Sequence, residues 1–445
     1  MRLTLLEILE ATKGGHIGGT LVGNTFPTYH TDSREVELGG VFFALKGAEK
    51  DGHKFVQDAI DRGAGAIVVE HRVEMPDGVA QVLVPNAWDA LYVLSTFVLE
   101  RVKPLVVAVT GSNGKTSTKE MVAAVLGRRY NVHKTSRNLN TETGVPLTIL
   151  GLESDHTALV LEMGMQRAGD IARLVALAKP RIGVITNIGT VHLEFFASQE
   201  MIARAKGELV AGLPKQGFAV LNEDDPFFDL LARMSSSTVA GFGLEAGDYR
   251  GTNYSVLPGG GCSFEFRGLT VRLALEGRHQ ARNALAALAV GHFAGVTFPH
   301  AAEALSAVTG VEHRFQLVSV AAGYTVVDDS YNASPESMLA AFDTMHDRPV
   351  EGRRLAVLGE KRELGGTASD AHKHVGMRAK EVFDAVCVID SPNGRILAQA
   401  AGAHVAADGV AAARWVRSNA RPGDQVLVKA SHGLRLDELV KELAT

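Results

Sequence analysis

Residues 105–129 read LVVAVTGSNGKTSTKEMVAAVLGRR, and this stretch decides the fold of the part of the chain around it. It opens with an apolar, β-branched run, 105–109, that is long enough for one buried strand. Small residues make a turn at 110–114, and a helix with apolar residues at helical spacing follows from Lys115. A strand, a glycine-containing loop and a helix in this order predict a phosphate-binding loop.

The loop offers the groups that bind a nucleoside triphosphate. Backbone N–H groups in the loop and at the helix N-terminus would face the phosphates, and the helix dipole favours negative charge there. The residues concerned are Gly111, Ser112, Asn113, Gly114 and Ser117. Lys115 would bridge the β- and γ-phosphates of ATP, and the Thr116 hydroxyl would hold Mg²⁺. Val109 stands where the general pattern has its first glycine, so an ordinary turn between a strand and a helix is the alternative.

Composition and charge describe an ordinary globular enzyme. The 445 residues suggest about three domains of ~150 residues each. Apolar residues make up 46% of the chain and charged residues 21%, and the net charge of −5 argues against a nucleic-acid-binding surface. The two cysteines, Cys262 and Cys387, form neither a disulfide framework nor a zinc-binding spacing, which indicates a reducing compartment.

The N-terminal stretch MRLTLLEILEATKGGH lacks the unbroken apolar core of a signal peptide, because Glu7 and Glu10 interrupt it. No uncharged run approaches the length of a membrane span. We therefore expect a cytoplasmic protein without a membrane span, and we expect it to be a monomer.

Short apolar runs alternate with helical segments along the chain, which predicts an α/β fold. We predict three domains, at 1–101, 102–310 and 311–445, and Pro104 gives the first boundary a physical cause because it disfavours a helix at Lys103. The first domain is small, the central one is a doubly wound, mostly parallel sheet, and the third is a second α/β sheet. The predicted strands are 41–45, 66–69, 82–84, 105–109, 158–161, 182–186, 218–221, 324–327, 355–358, 386–389 and 426–428.

Polar side chains follow the strands of the predicted central sheet, at the edge where such sheets bind ligands. Glu162 ends one strand, and His192 follows another. With Thr116 they make a plausible set of ligands for nucleotide-bound Mg²⁺, although a loop histidine that caps a helix is the alternative for His192. Lys206 lies in a predicted helix, where a solvated lysine is the simple explanation. Arg314, from the third domain, could reach the γ-phosphate as a bidentate donor.

Three other segments carry polar groups whose role stays open. Residues 31–34 place a carboxylate, a hydroxyl and a guanidinium together, and on this segment alone a capped turn with a surface ion pair is the favoured explanation. The loop 138–146 could line the site or could be turn chemistry. The segment 277–284 opens an apolar helix, where its polar side chains serve either a ligand or the helix cap.

Over nearly all of its length the chain resembles the Mur ligase family. The motifs that carry the resemblance are TGSNGKTSTKE at 110–120, NLNTETGVP at 138–146, LEMGM at 161–165, TNIGTVHLEFF at 186–196, ARAKGEL at 203–209, LNEDDP at 221–226, GRHQARNALAA at 277–287, HRF at 313–315 and DDSYNASPESM at 328–338. The family fold has a domain for a UDP-sugar, a domain for ATP and a Rossmann-like C-terminal domain that closes over them. This division agrees with the three predicted domains.

The resemblance implies roles for the matching positions. It makes Lys115, Lys206, His192 and Arg314 catalytic, and Thr116, Glu162 and His192 ligands of Mg²⁺. Lys206 corresponds to a lysine that several members carry as a carbamate, which would turn a cation into an anion that binds magnesium. The resemblance assigns ATP binding to His279, Asn283, Arg314 and Asp329, in addition to the phosphate loop. It assigns substrate binding to Asp32, Ser33, Arg34, Asn140 and Asn332.

The stretches TDSREVELGGVFFALKG, DGHKF, DDSYNASPESM and VLGEKRELG are most similar to the members that use a dipeptide as the amine substrate. The implied reaction joins D-alanyl-D-alanine to UDP-N-acetylmuramoyl-tripeptide through an acyl phosphate formed from ATP. A sister ligase that adds a single diamino acid is the nearest alternative. A folylpolyglutamate synthase is more distant, because it needs no UDP-sugar domain. A nucleotide-driven switch without ligase chemistry is the alternative from another functional class.

Overall fold

The computed structural model describes residues 1–18, 25–47, 50–76, 78–136, 139–190, 193–258, 260–310, 312–362 and 364–444. The fold is α/β, as predicted, and its main sheets are built largely from parallel strands. In these ranges no helix combines the length and the apolar character that a membrane crossing requires.

The N-terminal part of the chain is a small α/β unit. Its strands are β1 Leu3–Thr4, β2 Gly15–Ile17, β3 Thr25–Phe26, β4 Tyr29–His30, β5 Val41–Phe43, β6 Ala66–Val69 and β7 Ala80–Leu83. Its helices are α1 Leu5–Thr12, α2 Val56–Asp61 and α3 Ala87–Val102. The main sheet has the order β2-β7-β6-β5-β4, with β2 antiparallel to β7 and the other pairs parallel. Helix α3 ends at Val102, and Lys103 adopts a left-handed conformation before Pro104, so the helix does not continue at Lys103, as predicted.

The central part is the doubly wound sheet. Its strands are β8 Leu105–Thr110, β9 Val132–Lys134, β10 Ala158–Glu162, β11 Ile182–Ile185, β12 Phe218–Asn222, β13 Thr238–Gly243 and β14 Tyr249–Arg250. Its helices are α4 Lys115–Leu126, α5 Gly144–Leu150, α6 Asp170–Ala178, α7 Gln199–Ala211 and α8 Phe228–Met234. The order β14-β13-β12-β11-β8-β10-β9 is parallel throughout.

Strand β8 is buried on both faces, as expected for a central parallel strand. Val106 and Ala108 face one apolar core, while Val107 and Val109 face another. The chain leaves β8 for β9 and β10 on one side and later forms β11 on the other side. The loop after β8 therefore lies at the point where the strand order reverses, which is where such sheets bind ligands.

An antiparallel ribbon follows the central sheet and was not predicted. It consists of β15 Thr252–Val256, β16 Cys262–Phe266 and β17 Leu269–Leu273, and helices α9 Arg278–Phe293 and α10 Phe298–Ser306 come after it. The ribbon buries alternate residues, such as Val271 and Leu273 of β17, against the core beneath α9. A strand with only one buried face gives a weaker sequence signal than the continuous apolar runs of the parallel sheet.

The C-terminal part is a second parallel sheet with one antiparallel edge pair, β18–β19. Its strands are β18 Gln316–Ser319, β19 Thr325–Asp328, β20 Arg354–Leu358, β21 Ala385–Ile389, β22 His404–Ala406 and β23 Gln425–Lys429. Its helices are α11 Pro335–Asp347, α12 Ala368–Val382, α13 Pro392–Ala401, α14 Gly409–Asn419 and α15 Leu436–Ala444. The order is β18-β19-β23-β20-β21-β22. The domain boundaries after 101 and 310 stay predictions.

Candidate active site

The phosphate loop connects the end of β8 to the start of α4 and requires glycine at two positions. Gly111 has a φ of +148° and Gly114 a φ of +79°. A Cβ on Gly111 would lie 1.9 Å from Thr186 Oγ1, and one on Gly114 would lie 2.9 Å from Asn283 Oδ1. The loop is therefore closely surrounded, and larger residues at these positions would distort it.

Residues at the end of β11 hold the loop's backbone. Ser112 N donates to Asn187 O at 2.9 Å and Asn113 N donates to Asn187 Oδ1 at 3.0 Å. Asn187 Nδ2 donates back to Asn113 O at 3.1 Å. The N–H groups of Ser112 and Asn113 are thus used within the protein. The first turn of α4, from Lys115, has no intrahelical acceptors for its N–H groups and is the part left to bind an anion.

Two lysines converge on one carbonyl of the loop. Lys115 Nζ donates to Gly111 O at 2.8 Å and to Ser112 O at 3.1 Å, and Lys206 Nζ donates to Gly111 O at 3.0 Å. Burial lowers the pKa of Lys115, and the carboxylate of Glu162 partly opposes this. Burial lowers the pKa of Lys206 well below its ordinary value, and Lys115 adds to the effect. The explanation of Lys206 as a solvated lysine is wrong, because its side chain is only 2% exposed.

Thr116, Glu162 and Asn140 come together beside the loop. Thr116 Oγ1 donates to Glu162 Oε2 at 2.9 Å, and Asn140 Nδ2 donates to Glu162 Oε1 at 2.8 Å. The Glu162 side chain is buried at the end of β10. A hydroxyl beside a buried carboxylate is a donor set that suits Mg²⁺, which usually takes one or two protein oxygens and completes its shell with water and phosphate. His192 lies outside the described residues, and within them no larger metal-binding group of His, Cys, Asp and Glu is present.

The C-terminal unit reaches the phosphate loop directly. Arg314 Nη2 donates to Thr116 Oγ1 at 3.2 Å, and its guanidinium lies 4.3 Å from the centre of the Tyr331 ring. Ser334 Oγ donates to Asn113 Oδ1 at 3.0 Å. The two units are therefore in contact at the phosphate loop.

Behind Arg314, an ion pair joins the last residue of β23 to the loop that follows β19. Lys429 Nζ lies 2.7 Å from Asp329 Oδ2 and donates to Asn332 O at 3.0 Å. Burial raises the pKa of Asp329, and the Lys429 ammonium opposes this. The Asn332 side chain is exposed and accepts a hydrogen bond from Ala333 N at 2.9 Å.

The start of α9 lies between the loop and the C-terminal unit. Asn283 is buried next to Gly114, and its Nδ2 donates to Gln280 Oε1 at 3.1 Å. Burial lowers the pKa of His279 to about 4, and the cations Lys429 and Arg282 add to the effect. His279 is therefore neutral at physiological pH and able to hydrogen-bond as an uncharged ring.

Comparison with known proteins identifies the family. The chain matches the Mur ligase family catalytic domain over residues 28–130, the Mur ligase middle domain over 109–291 and the Mur ligase glutamate ligase domain over 313–432. It is 35% identical to the UDP-N-acetylmuramoyl-tripeptide–D-alanyl-D-alanine ligase of Bacillus subtilis over 455 residues, covering 100% of this chain and 98% of that one. This chain belongs to the Mur ligase family.

Solved structures of Mur ligases share the three-domain fold. MurF from Acinetobacter baumannii superposes with a TM-score of 0.91 at 28% identity, covering 100% of this chain and 99% of that one. MurF ligase from Thermotoga maritima in complex with ADP gives a TM-score of 0.84 at 33% identity, covering 94% and 97%.

In this Mur ligase, the predicted UDP-sugar residues 32–34 make no hydrogen bond to the phosphate loop within the described ranges. Asp32 Oδ1 accepts a hydrogen bond from Arg34 N at 3.0 Å and caps the short turn Ser33–Glu35. Its ion pair with the largely exposed Arg34, 2.6 Å from Nη2 to Oδ2, holds the pKa of Asp32 at about 2. Among the described residues, their hydrogen bonds stay within this turn, which is the local geometry of the capped-turn alternative. Their role toward the substrate stays a prediction.

Some residues at the Mur ligase site carried no role in the sequence analysis. Thr186 Oγ1 donates to Asn113 O at 2.5 Å, and Glu336 Oε1 accepts from both N and Oγ1 of Thr190 at 2.7 Å. Ser334, which caps α11, and Glu336 lie within the motif DDSYNASPESM. The sequence did contain a signal for these residues, since a serine followed by a proline indicates a helix start. This pattern does not reveal that the start of the helix faces another domain.

Proposed function

We propose that this protein is an ATP-dependent ligase that joins D-alanyl-D-alanine to UDP-N-acetylmuramoyl-tripeptide. The products are the UDP-linked pentapeptide precursor of peptidoglycan, ADP and phosphate. The observation that carries the proposal is the similarity over the whole chain to a ligase named for this reaction. The geometry agrees with it, because the phosphate loop, a buried carboxylate and an arginine from the C-terminal unit meet in one site.

The chemical problem is that a carboxylate is a poor electrophile at neutral pH. Transfer of the γ-phosphoryl group from ATP converts the terminal carboxylate of the tripeptide into an acyl phosphate and releases ADP. The dipeptide amine then attacks the acyl carbon, gives a tetrahedral intermediate and loses a proton, and phosphate leaves. The protein contributes mainly positioning and charge stabilisation in such transfers.

The residues of this chain divide that work. We assign the β- and γ-phosphates to Lys115 and to the first turn of α4. We assign Arg314 to the charge that develops on the transferring phosphoryl group, since a guanidinium can donate two parallel hydrogen bonds. Contact between the C-terminal unit and the loop would exclude water, which would otherwise hydrolyse the acyl phosphate.

Thr116 and Glu162 would hold Mg²⁺, because they present a hydroxyl and a carboxylate oxygen in contact with each other. The ion would neutralise charge on the β- and γ-phosphates when it is bound. His192 stays a predicted third ligand.

The assignment of the N-terminal unit to the UDP-sugar and of the C-terminal unit to the dipeptide is likewise a proposal. The monomeric state and the cytoplasmic location stay predictions.

We propose that Lys206 acts as a carbamate. Its low pKa keeps a larger share of the amine neutral than in a solvated lysine, and the neutral amine is the form that reacts with carbon dioxide. The product would be an anion close to Lys115, in place of the Lys206 amine. We propose that this modification contributes a charge to the metal–nucleotide site.

Replacing Lys206 by methionine should lower ligase activity by about 10²-fold, as expected for the loss of one group that stabilises the reacting charge. The same change should raise the melting temperature at pH 7. At that pH the unfolded chain binds a proton at Lys206 more strongly than the folded protein does, which costs stability. The gain should shrink as the pH rises toward the ordinary lysine pKa. Thermal unfolding in bicarbonate-free buffer at several pH values measures this gain in melting temperature. A gain that grew with pH would contradict the claim that burial of Lys206 costs stability.

The test of the proposed function is ATP-dependent phosphate release with UDP-N-acetylmuramoyl-tripeptide as the acid substrate. We expect release that requires D-alanyl-D-alanine and is not supported by single amino acids. Release that instead requires UDP-N-acetylmuramoyl-dipeptide and a diamino acid would move the protein to the sister ligase. Release indifferent to any amine would leave only an ATPase and would overturn the proposal.

A further inference from the structure

Helix α4 carries a buried lysine that nucleotide binding does not use. Lys119 lies one turn after Thr116, and only 1% of its surface is exposed. Its Nζ donates to Thr135 O at 2.6 Å and lies 3.0 Å from Glu120 Oε1. Replacing a buried ion pair by apolar side chains of similar volume is often neutral or stabilising, so stability alone does not require a lysine here. A function that needs its hydrogen bond would explain the lysine.

The partner of Lys119 holds the backbone of the proposed metal ligand. Thr135 follows strand β9 directly and is completely buried. Its N donates to Val160 O at 3.0 Å, and its Oγ1 accepts a hydrogen bond from Glu162 N at 3.0 Å. Thr135 therefore continues the pairing of β9 with β10 to the last residue of β10, which is Glu162.

These contacts close a ring of hydrogen bonds. Helix α4 reaches the Glu162 carboxylate directly through Thr116, and it reaches the Glu162 backbone through Lys119 and Thr135. Strand β9 lies at the edge of its sheet. Among the described residues it therefore pairs with one strand, β10. The hydrogen bond from Lys119 to Thr135 therefore links the end of this edge strand to helix α4.

We propose that Lys119 is a positioning residue for the metal–nucleotide site. It fixes Thr135 and, through it, keeps the Glu162 carboxylate within reach of Thr116. The inference rests on the proposed function, because that function is what makes Glu162 a metal ligand. Side chains that orient a metal ligand from behind typically contribute 10- to 100-fold to metal affinity.

We expect Lys119→Met to weaken binding of Mn²⁺ to the protein–ADP complex by about 10-fold or more. Thr135→Val should have the same effect, because it removes the acceptor for Glu162 N and leaves the carbonyl that Lys119 uses. In kinetics, both should raise the Mg²⁺ and ATP requirements and leave the KM for D-alanyl-D-alanine unchanged. Lys119→Arg keeps the charge and a donor and should recover part of the affinity.

Lys134→Met is the matched control. Lys134 is half-exposed, pairs with the same Glu120 and lies next to Thr135, but it belongs to none of the hydrogen bonds of the ring. It should bind Mn²⁺ as the wild type does. Isothermal titration of Mn²⁺ into the protein–ADP complex is the direct measurement, and thermal unfolding identifies the variants that are folded.

The effects of the two ring variants should not add. A protein with both Lys119→Met and Thr135→Val should lose about as much affinity as either single variant, because each opens the same ring. Wild-type Mn²⁺ affinity in folded Lys119→Met would overturn the proposal, and if that variant does not fold, wild-type affinity in Thr135→Val would do so. The titration needs no amine substrate, so it decides on Lys119 even if the dipeptide-dependent phosphate release fails.

Discussion

Lys115→Ala should lower ligase activity by on the order of 10³-fold or more, while the protein stays folded. Lys115 is the cation of the phosphate loop, and its Nζ donates only to the loop carbonyls of Gly111 and Ser112 in the described structure. A nucleotide would offer it phosphate oxygens, which bind an ammonium far more strongly than a neutral carbonyl does. The loss should appear both in kcat and in the affinity for ATP.

The fold should survive because Lys115 is not a stabilising residue in the protein without nucleotide. Burial lowers its pKa, so the folded state holds the proton less firmly than the unfolded chain. Its removal frees only neutral backbone acceptors, and the buried Glu162 carboxylate keeps its hydrogen bonds from Thr116 and Asn140. Circular dichroism and thermal unfolding check this, and Lys134→Ala, on a half-exposed lysine, is the control. Ligase activity close to the wild type would contradict the assignment of the phosphate loop.

Arg314→Ala should lower kcat by about 10³-fold, the size of effect seen when an arginine that stabilises a transferring phosphoryl group is removed. Arg314 comes from the C-terminal unit, stacks on Tyr331 and reaches Thr116 of the phosphate loop. Its buried Nε finds no acceptor among the described residues, so a donor is available for a phosphate oxygen. The left-handed conformations of His313 and Phe315, on either side of it, fix the direction of the segment.

The distinguishing feature of this prediction is that kcat should fall much more than the affinity for ADP. ADP lacks the γ-phosphate, toward which Arg314 is assigned. Arg314→Lys should not restore activity, because an ammonium cannot reproduce the planar, bidentate fork. Arg378 is a suitable control, since it pairs within the C-terminal unit with Asp343 and Glu381. An unchanged kcat in Arg314→Ala would show that closure of the C-terminal unit does not bring this guanidinium to the reaction.

Much of the architecture was readable from the chain. The parallel strands are continuous apolar runs because both faces of each sheet are covered, and the predicted strands of all three units lie within one or two residues of the observed ones. The antiparallel ribbon β15–β17 was missed because its outer strands, β15 and β17, expose many of their side chains and so lack a continuous apolar run. Strand β22 was missed because it is a short, largely exposed edge strand.

Sequence spacing was sufficient to predict the positions of site residues only within a single motif. Lys115 and Thr116 follow the loop glycines directly, so their positions at the start of α4 were predictable. The burial of Lys206 was not, because a lysine in an amphipathic helix is ordinarily solvated and nothing local shows that α7 turns this residue toward Gly111. The same holds for Lys119, whose partner Thr135 lies beyond the end of its helix.

The sequence by itself determined the fold class, the phosphate loop and the order of the units, because each depends on residues close together along the chain. Strand periodicity, turn chemistry and helix starts are local properties. Only the tertiary structure decided which distant side chains share the site. Glu162 meets Thr116 because β10 lies next to β8, and Arg314 meets Thr116 because the C-terminal unit packs against the loop. Such contacts follow from strand order and domain packing, which depend on how the whole chain buries its apolar surface.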